Sequence, residues 1–190
     1  MRLTIRCAMI AAMLVLGTSV SVAEMQQPYA GLLERPIKAL PEEQVEALLN
    51  GQGAGFALTA ELNGYPGPLH VLELSEELEL APEQRRQIEG LYDEMKGIAI
   101  ELGRYLVELE STLDREFASR SIGAARLDEL TSEIGRITGE LRATHLRYHL
   151  ETDRILSRDQ VEQYDMLRGY SHGDHYGEHR ASEMHHGPSN

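Results

Sequence analysis

From Pro82 onward, the apolar residues Ile88, Leu91, Met95, Ile98, Leu102, Leu106, Leu109, Leu113 and Phe117 recur in steps of three and four. Their mean spacing is about 3.6 residues, the period of a helix with one buried face. Asp93 with Lys96 and Glu101 with Arg104 fall on the wet side as i,i+3 pairs. The pattern breaks at Ser119–Gly123 and resumes with Leu127, Leu130, Ile134, Ile137 and Leu141, which predicts a second long helix to about Leu156. A final helix is predicted over 158–169. Upstream, Val45, Leu48 and Leu49 predict a short helix over 41–50, and Pro68 opens another over roughly 69–79. Between them, five glycines and two prolines in 51–68 read as loop. No segment alternates with period two. The expected fold class is therefore all-α: an elongated antiparallel helical hairpin with short flanking helices. At 1.5 Å per residue the first long helix would reach roughly 55 Å. A bare hairpin leaves apolar stripe uncovered, so a homodimer is expected.

A phrase repeated in the sequence marks the helix starts. Leu80-Ala-Pro-Glu-Gln84 precedes the first long helix, and Leu156-Ser-Arg-Asp-Gln160 precedes the last. In each, Leu stands before the N-cap and Gln falls at the third helical position. Ser157 with Gln160 is a capping box, in which each side chain satisfies a backbone N–H of the other residue. Leu156 is placed to pack on Val161. The first copy has lost the hydroxyl at Ala81 but has Pro82 at the first helical position, where its fixed φ is suited. A looser copy, Leu40-Pro-Glu-Glu-Gln44, precedes the short helix.

The N-terminus reads as a secretion signal: Arg2 and Arg6, an apolar run from Cys7 to Gly17, then small residues at Ser21 and Ala23. Cleavage is expected after Ala23, and the run is too short for a membrane span. Cys7 is the one cysteine, so the mature chain would carry no disulfide, thiol nucleophile or thiolate site. Removing two arginines and no acid takes the formal charge from −13 to −15. That disfavours nucleic acid and anionic membrane as partners, since phosphate binding needs clustered Lys and Arg. Four regions result: a signal peptide (1–23), a leader with a short helix and Gly/Pro-rich loop (24–67), a helical domain (68–170) and a His-rich tail (171–190).

His145 and His149 stand four apart on the second long helix, which puts both imidazoles on one face, able to share a cation such as Zn, Ni or Co. Further ligands would come from elsewhere, with His70 and Glu73 as candidates. The same spacing suits two histidines that fill the edge of the core seam, and the sequence leaves both readings open. The tail carries His172, His175, His179, His185 and His186 among acidic residues and glycine. Its composition is that of a disordered segment, which either chelates cations adaptively or has no role. Gly169-Tyr-Ser171-His-Gly173 matches a nucleophile-elbow string but lacks the strand-to-helix turn. Gly51-Gln-Gly53-Ala-Gly55 has neither the spacing nor the strand of a dinucleotide loop. Glu108, Glu110 and Asp114 read as a solvated face. No enzyme is expected.

Taken together, the two Leu-x-x-x-Gln copies (Leu80, Gln84; Leu156, Ser157, Gln160), the signal peptide and the cysteine-free hairpin resemble the Spy/CpxP family of periplasmic proteins and its metal-linked relatives ZraP and CnrX. That family is marked by a repeated Leu-Thr-x-x-Gln, and the likeness covers about residues 68–169. Both copies here depart at the Thr position. The resemblance implies a thin dimer that binds unfolded envelope proteins without ATP, or a stress adaptor for a sensing partner. Its metal-linked branch implies a Zn, Ni or Co sensor or buffer using helix and tail histidines. Spy-like client faces are basic, and Arg136, Arg142, Arg147 and Arg154 offer a basic strip on the second long helix.

Overall fold

The structure is a computed structural model that describes residues 29–170. The expected signal peptide and the tail histidines His172, His175 and His179 lie outside the described residues. Six α-helices follow in order: α1 (Glu42–Leu49), α2 (Leu58–Glu61), α3 (Pro68–Glu73), α4 (Pro82–Ala118), α5 (Ala124–Ile155) and α6 (Arg158–Arg168). There is no strand among the described residues, and none of their helices is long and apolar enough to cross a membrane. α4 and α5 are the two expected long helices, and they pack along each other as the arms of a hairpin.

The buried seam differs from the expected stripe in a way that packing explains. Ile98 and Phe117 are exposed, while Ala99 and Gly103 are buried in their stead. The reason is α1, which crosses α4 at this point. A Cβ on Gly103 would lie 2.2 Å from the Leu48 carbonyl oxygen, so only glycine admits that approach. Ala99 sits one turn earlier and joins Leu48, Leu106, Leu109, Leu130, Ile137 and Leu141 in one core cluster. Ile37 and Leu40 from the segment before α1 complete it. Lys38 anchors that segment to α4 through its main-chain N–H and its ammonium, 3.3 and 3.0 Å from the Asp114 carboxylate. Asp114 is therefore a tether and not simply part of a solvated face.

A second cluster closes the open end of the hairpin around Val71, Leu78, Ile88, Leu156 and Tyr164, with Leu80 and Val161 packed against it. The helix expected over 69–79 ends at Glu73. Beyond it the chain turns, Glu79 takes a φ of 47°, and Leu78 drops into the cluster. In this turn the Leu78 carbonyl accepts from Gln160 Nε2 at 3.1 Å.

The two copies of the repeated phrase meet at this end. Gln84 Nε2 donates to Gln160 Oε1 at 2.9 Å, and Gln160 Nε2 donates back to Gln84 Oε1 at 3.2 Å. Each oxygen also accepts its own N-cap N–H, from Ala81 at 3.0 Å and Ser157 at 2.9 Å. Each amide nitrogen also bonds a carbonyl, that of Ile155 for Gln84 and that of Leu78 for Gln160. Both side-chain amides thus use their full donor and acceptor capacity. Ser157 Oγ accepts the Gln160 N–H at 3.2 Å, so the second capping box is complete and the first is half-formed. The looser copy before α1 makes no side-chain cap bond.

Replacing either glutamine by leucine strands two backbone groups and the opposite amide. Each of Gln84→Leu and Gln160→Leu should cost about 1–3 kcal/mol in urea unfolding. The double variant should lose less than the sum, because the reciprocal bonds can be lost only once. Strictly additive losses would show that the two amides do not act as a pair.

Candidate functional site

Glu61 is the last residue of the one-turn helix α2 and is only 5% exposed. Three other helices bring it partners. From α3, His70 Nδ1–H donates to Oε1 at 3.1 Å. From α6, the Tyr164 hydroxyl donates to the same oxygen, and Arg168 Nε stands 3.7 Å from it. From α5, His149 Nδ1 lies 3.7 Å from Oε2. Burial pulls the Glu61 carboxyl upward, but the His70 and Tyr164 hydrogen bonds and the nearby imidazoles outweigh it and hold the group below its usual range. Tyr164 responds oppositely: burial, then the bond to Glu61, drives its phenol well above normal, so it stays a donor.

His149 donates from Nδ1 to the Tyr65 carbonyl at 2.7 Å. A carbonyl can only accept, so that nitrogen carries the proton and Nε2 carries the lone pair. Gly67 lies against this ring, where a Cβ would sit 2.9 Å from Nε2 and 2.8 Å from Cε1. His145, one turn earlier, is 2% exposed and stacks on Phe56 at 6.2 Å between ring centroids. Its Nε2 is buried without a hydrogen bond. Desolvation depresses the basicity of both imidazoles, and in His145 the neighbouring His149 adds to the effect. Both histidines are therefore neutral at pH 7.

These groups border a cavity of about 560 Å³. The glycine-rich loop from Gly51 to Gly55 forms one side, Met95 of α4 lines another, and Glu61, His70, His145 and His149 also line it. Lys96 also lines the cavity, its ammonium 5.5 Å from the centre of the Tyr92 ring. The loop's glycines have a packing reason at Gly51, where φ is 66° and a Cβ would meet the Lys96 carbonyl oxygen at 2.9 Å.

Among the sequence candidates, His145, His149 and His70 do come to one cavity. Glu73 does not join them: it is exposed, and the carboxylate beside His70 is Glu61. Both rings of the His pair are buried, as the core-filling reading has it, and both line the cavity. Among the described residues, no three or more His, Cys, Asp or Glu side chains form a group that could hold a metal ion. Glu61, Tyr65, Tyr164 and Arg168 were not legible as site residues. The available signal was the density of glycine and proline from 51 to 68, which marks backbone brought close to other groups.

The buried imidazoles set a pH dependence. Their folded pKa values lie below the unfolded value of about 6.5, so the unfolded chain binds more protons as pH falls through that value. Stability should be full above about pH 7 and decline toward pH 5, by up to about 1.4 kcal/mol per pH unit for each histidine. Glu61, with a lowered pKa, should add a further loss only at more acidic pH. Urea midpoints measured from pH 7.5 to 5 should show this slope, and His145→Gln with His149→Gln should flatten it. A slope unchanged by both substitutions would refute the assignment. Comparison with protein-family models, with curated proteins and with solved structures finds no match for this chain.

Proposed function

We propose that this protein is a periplasmic, ATP-independent chaperone or envelope-stress adaptor of the Spy/CpxP type, acting by its helical surface and without catalysis. One observation carries the reading: the two copies of the repeated phrase form a single reciprocal clasp, so the motif that bears the resemblance is one structural device and not a coincidence of two helix starts. The surface agrees with it. Ile98 and Tyr105 are exposed two turns apart on α4, and Leu150 is exposed on α5. Scattered apolar contacts of this kind suit weak binding to unfolded envelope proteins or a second copy of the chain. The basic strip is partly neutralised, however: Arg136 pairs with Glu133 and Glu140, and Arg154 with Glu151. Client binding would then rest on apolar contact more than on charge. Suppression of client aggregation should be unaffected by a chelator and should fall severalfold in the Ile98→Glu, Tyr105→Glu double variant. Suppression that needs added metal would sink this reading.

The cavity favours a second reading, a periplasmic heavy-metal sensor or buffer akin to ZraP and CnrX, taking Zn, Ni or Co. Its support is the pair of neutral imidazoles, one with a fixed lone pair and one with an unpartnered buried nitrogen. Calorimetric titration of the mature chain with each cation should give a binding isotherm that His145→Ala with His149→Ala abolishes once the five tail histidines are replaced by asparagine. An isotherm indifferent to the helix pair would rule out the cavity as the metal site.

A further inference from the structure

Two groups of opposite charge border the cavity, and the fold leaves each of them incompletely paired. Glu61 is one. Its Oε1 accepts from His70 and Tyr164, with Arg168 nearby, while Oε2 is buried and makes no hydrogen bond among the described residues. Oε2 and His149 Nε2 lie about one spot: a Cβ on Gly67 would stand 3.4 Å from the first and 2.9 Å from the second. Because His149 Nδ1 donates to the Tyr65 carbonyl, Nε2 is an acceptor, and no donor among the described residues bonds to it. A carboxylate oxygen and an imidazole lone pair so close together call for a positively charged group with several N–H donors. The Glu61 carboxyl is held below its usual range, so its negative charge is present at neutral pH.

Lys96 is the other. Its side chain is half-buried on the cavity wall, and its ammonium meets the Tyr92 ring but no carboxylate among the described residues. Gly51 packs directly on this residue, since a Cβ there would lie 2.9 Å from the Lys96 carbonyl oxygen and 3.3 Å from its Cγ. The glycine-rich loop therefore starts beside Lys96. Farther along it, the main-chain N–H groups of Gly53, Ala54 and Gly55 bond to nothing among the described residues. An ammonium without a counter-ion, followed by a run of free N–H groups, calls for an anion. Leu58, Leu69 and Met95 give the same cavity apolar wall, and its volume of about 560 Å³ is that of a site for a small organic molecule.

We propose that the cavity binds a short zwitterionic peptide with apolar side chains, its α-ammonium held by Glu61 and His149 and its carboxylate by Lys96 and the 53–55 loop. A metal ion needs all its donors at one point, whereas a peptide meets them along its length, so the two ends of the site need only share the cavity. This site stands apart from both functional readings, since it requires neither a metal nor an unfolded client.

The test is calorimetric titration of the mature full-length chain with the dipeptide Leu-Leu, in EDTA so that no metal takes part. A saturable isotherm is expected. N-acetyl-Leu-Leu lacks the ammonium and Leu-Leu-amide lacks the carboxylate, and each should bind at least about tenfold more weakly, because each loses charge-assisted bonds. Lys96→Met keeps the apolar stem that packs on the wall. It should weaken Leu-Leu by a similar factor and leave Leu-Leu-amide unchanged, a contrast that a general loss of structure would not produce. No binding of Leu-Leu would overturn the proposal. Equal binding of the free and capped dipeptides would overturn it as well, and that comparison needs no variant to fold.

Discussion

A carboxylate withdrawn from water must find donors nearby, and Glu61 finds them on three helices that are far apart in sequence. That requirement organises one whole end of the molecule. α3 has to present His70, α6 has to turn back far enough to present Tyr164 and Arg168, and α5 has to carry His149 past the same point. Breaking such a cluster by removing one partner leaves an uncompensated buried charge, which is far more harmful than losing a surface pair. The short helix α2, only four residues long, could not hold its own conformation without these bonds. Glu61, His70 and His149 of this cluster also line the cavity.

The two ends of the hairpin core are built on different chemistry. Around Leu106, Leu130 and Ile137 the packing is apolar throughout, and α1 approaches closely over Ala99 and Gly103. Near the cavity the same two helices carry Met95, Thr144, His145, Tyr148, His149 and Thr152 as buried residues. A helical hairpin needs no such set for stability, since leucine would serve. Polar and polarizable side chains are thus concentrated at one end, while the apolar end holds the fold.

Much of this was readable from residue order. The 3.6-residue spacing located both long helices to within a residue or two, because long amphipathic runs dominate local preference. The capping phrases placed the starts of α4 and α6 for the same local reason. What the sequence hid was non-local. Ala99 and Gly103 carry no hydrophobic signal, and their burial is decided by α1 crossing over them. α3 was read too long because the turn after it is fixed by non-local packing, Leu78 entering the second cluster and its carbonyl meeting Gln160 from α6. His145 and His149 could be placed on one face, but not their cavity, because Glu61 and Gly67 lie in a segment whose composition says only loop. Glu73, the obvious carboxylate by spacing, points to solvent, while the less obvious one is buried.

The clasp between Gln84 and Gln160 has a bearing on how such a chain can vary in length. It fixes the two arms to each other at one end, with its partners 76 positions apart in sequence. Lengthening one arm alone would shift its glutamine by 1.5 Å and about 100° for every residue added, and the reciprocal bonds would be lost at once. Adding the same whole number of turns to both arms leaves the clasp untouched, because the far turn around Ser119–Ser121 is exposed and bonded only locally. The hairpin is in effect an adjustable ruler with its zero mark at the clasp. Its reach can change across variants while the clasped end stays constant.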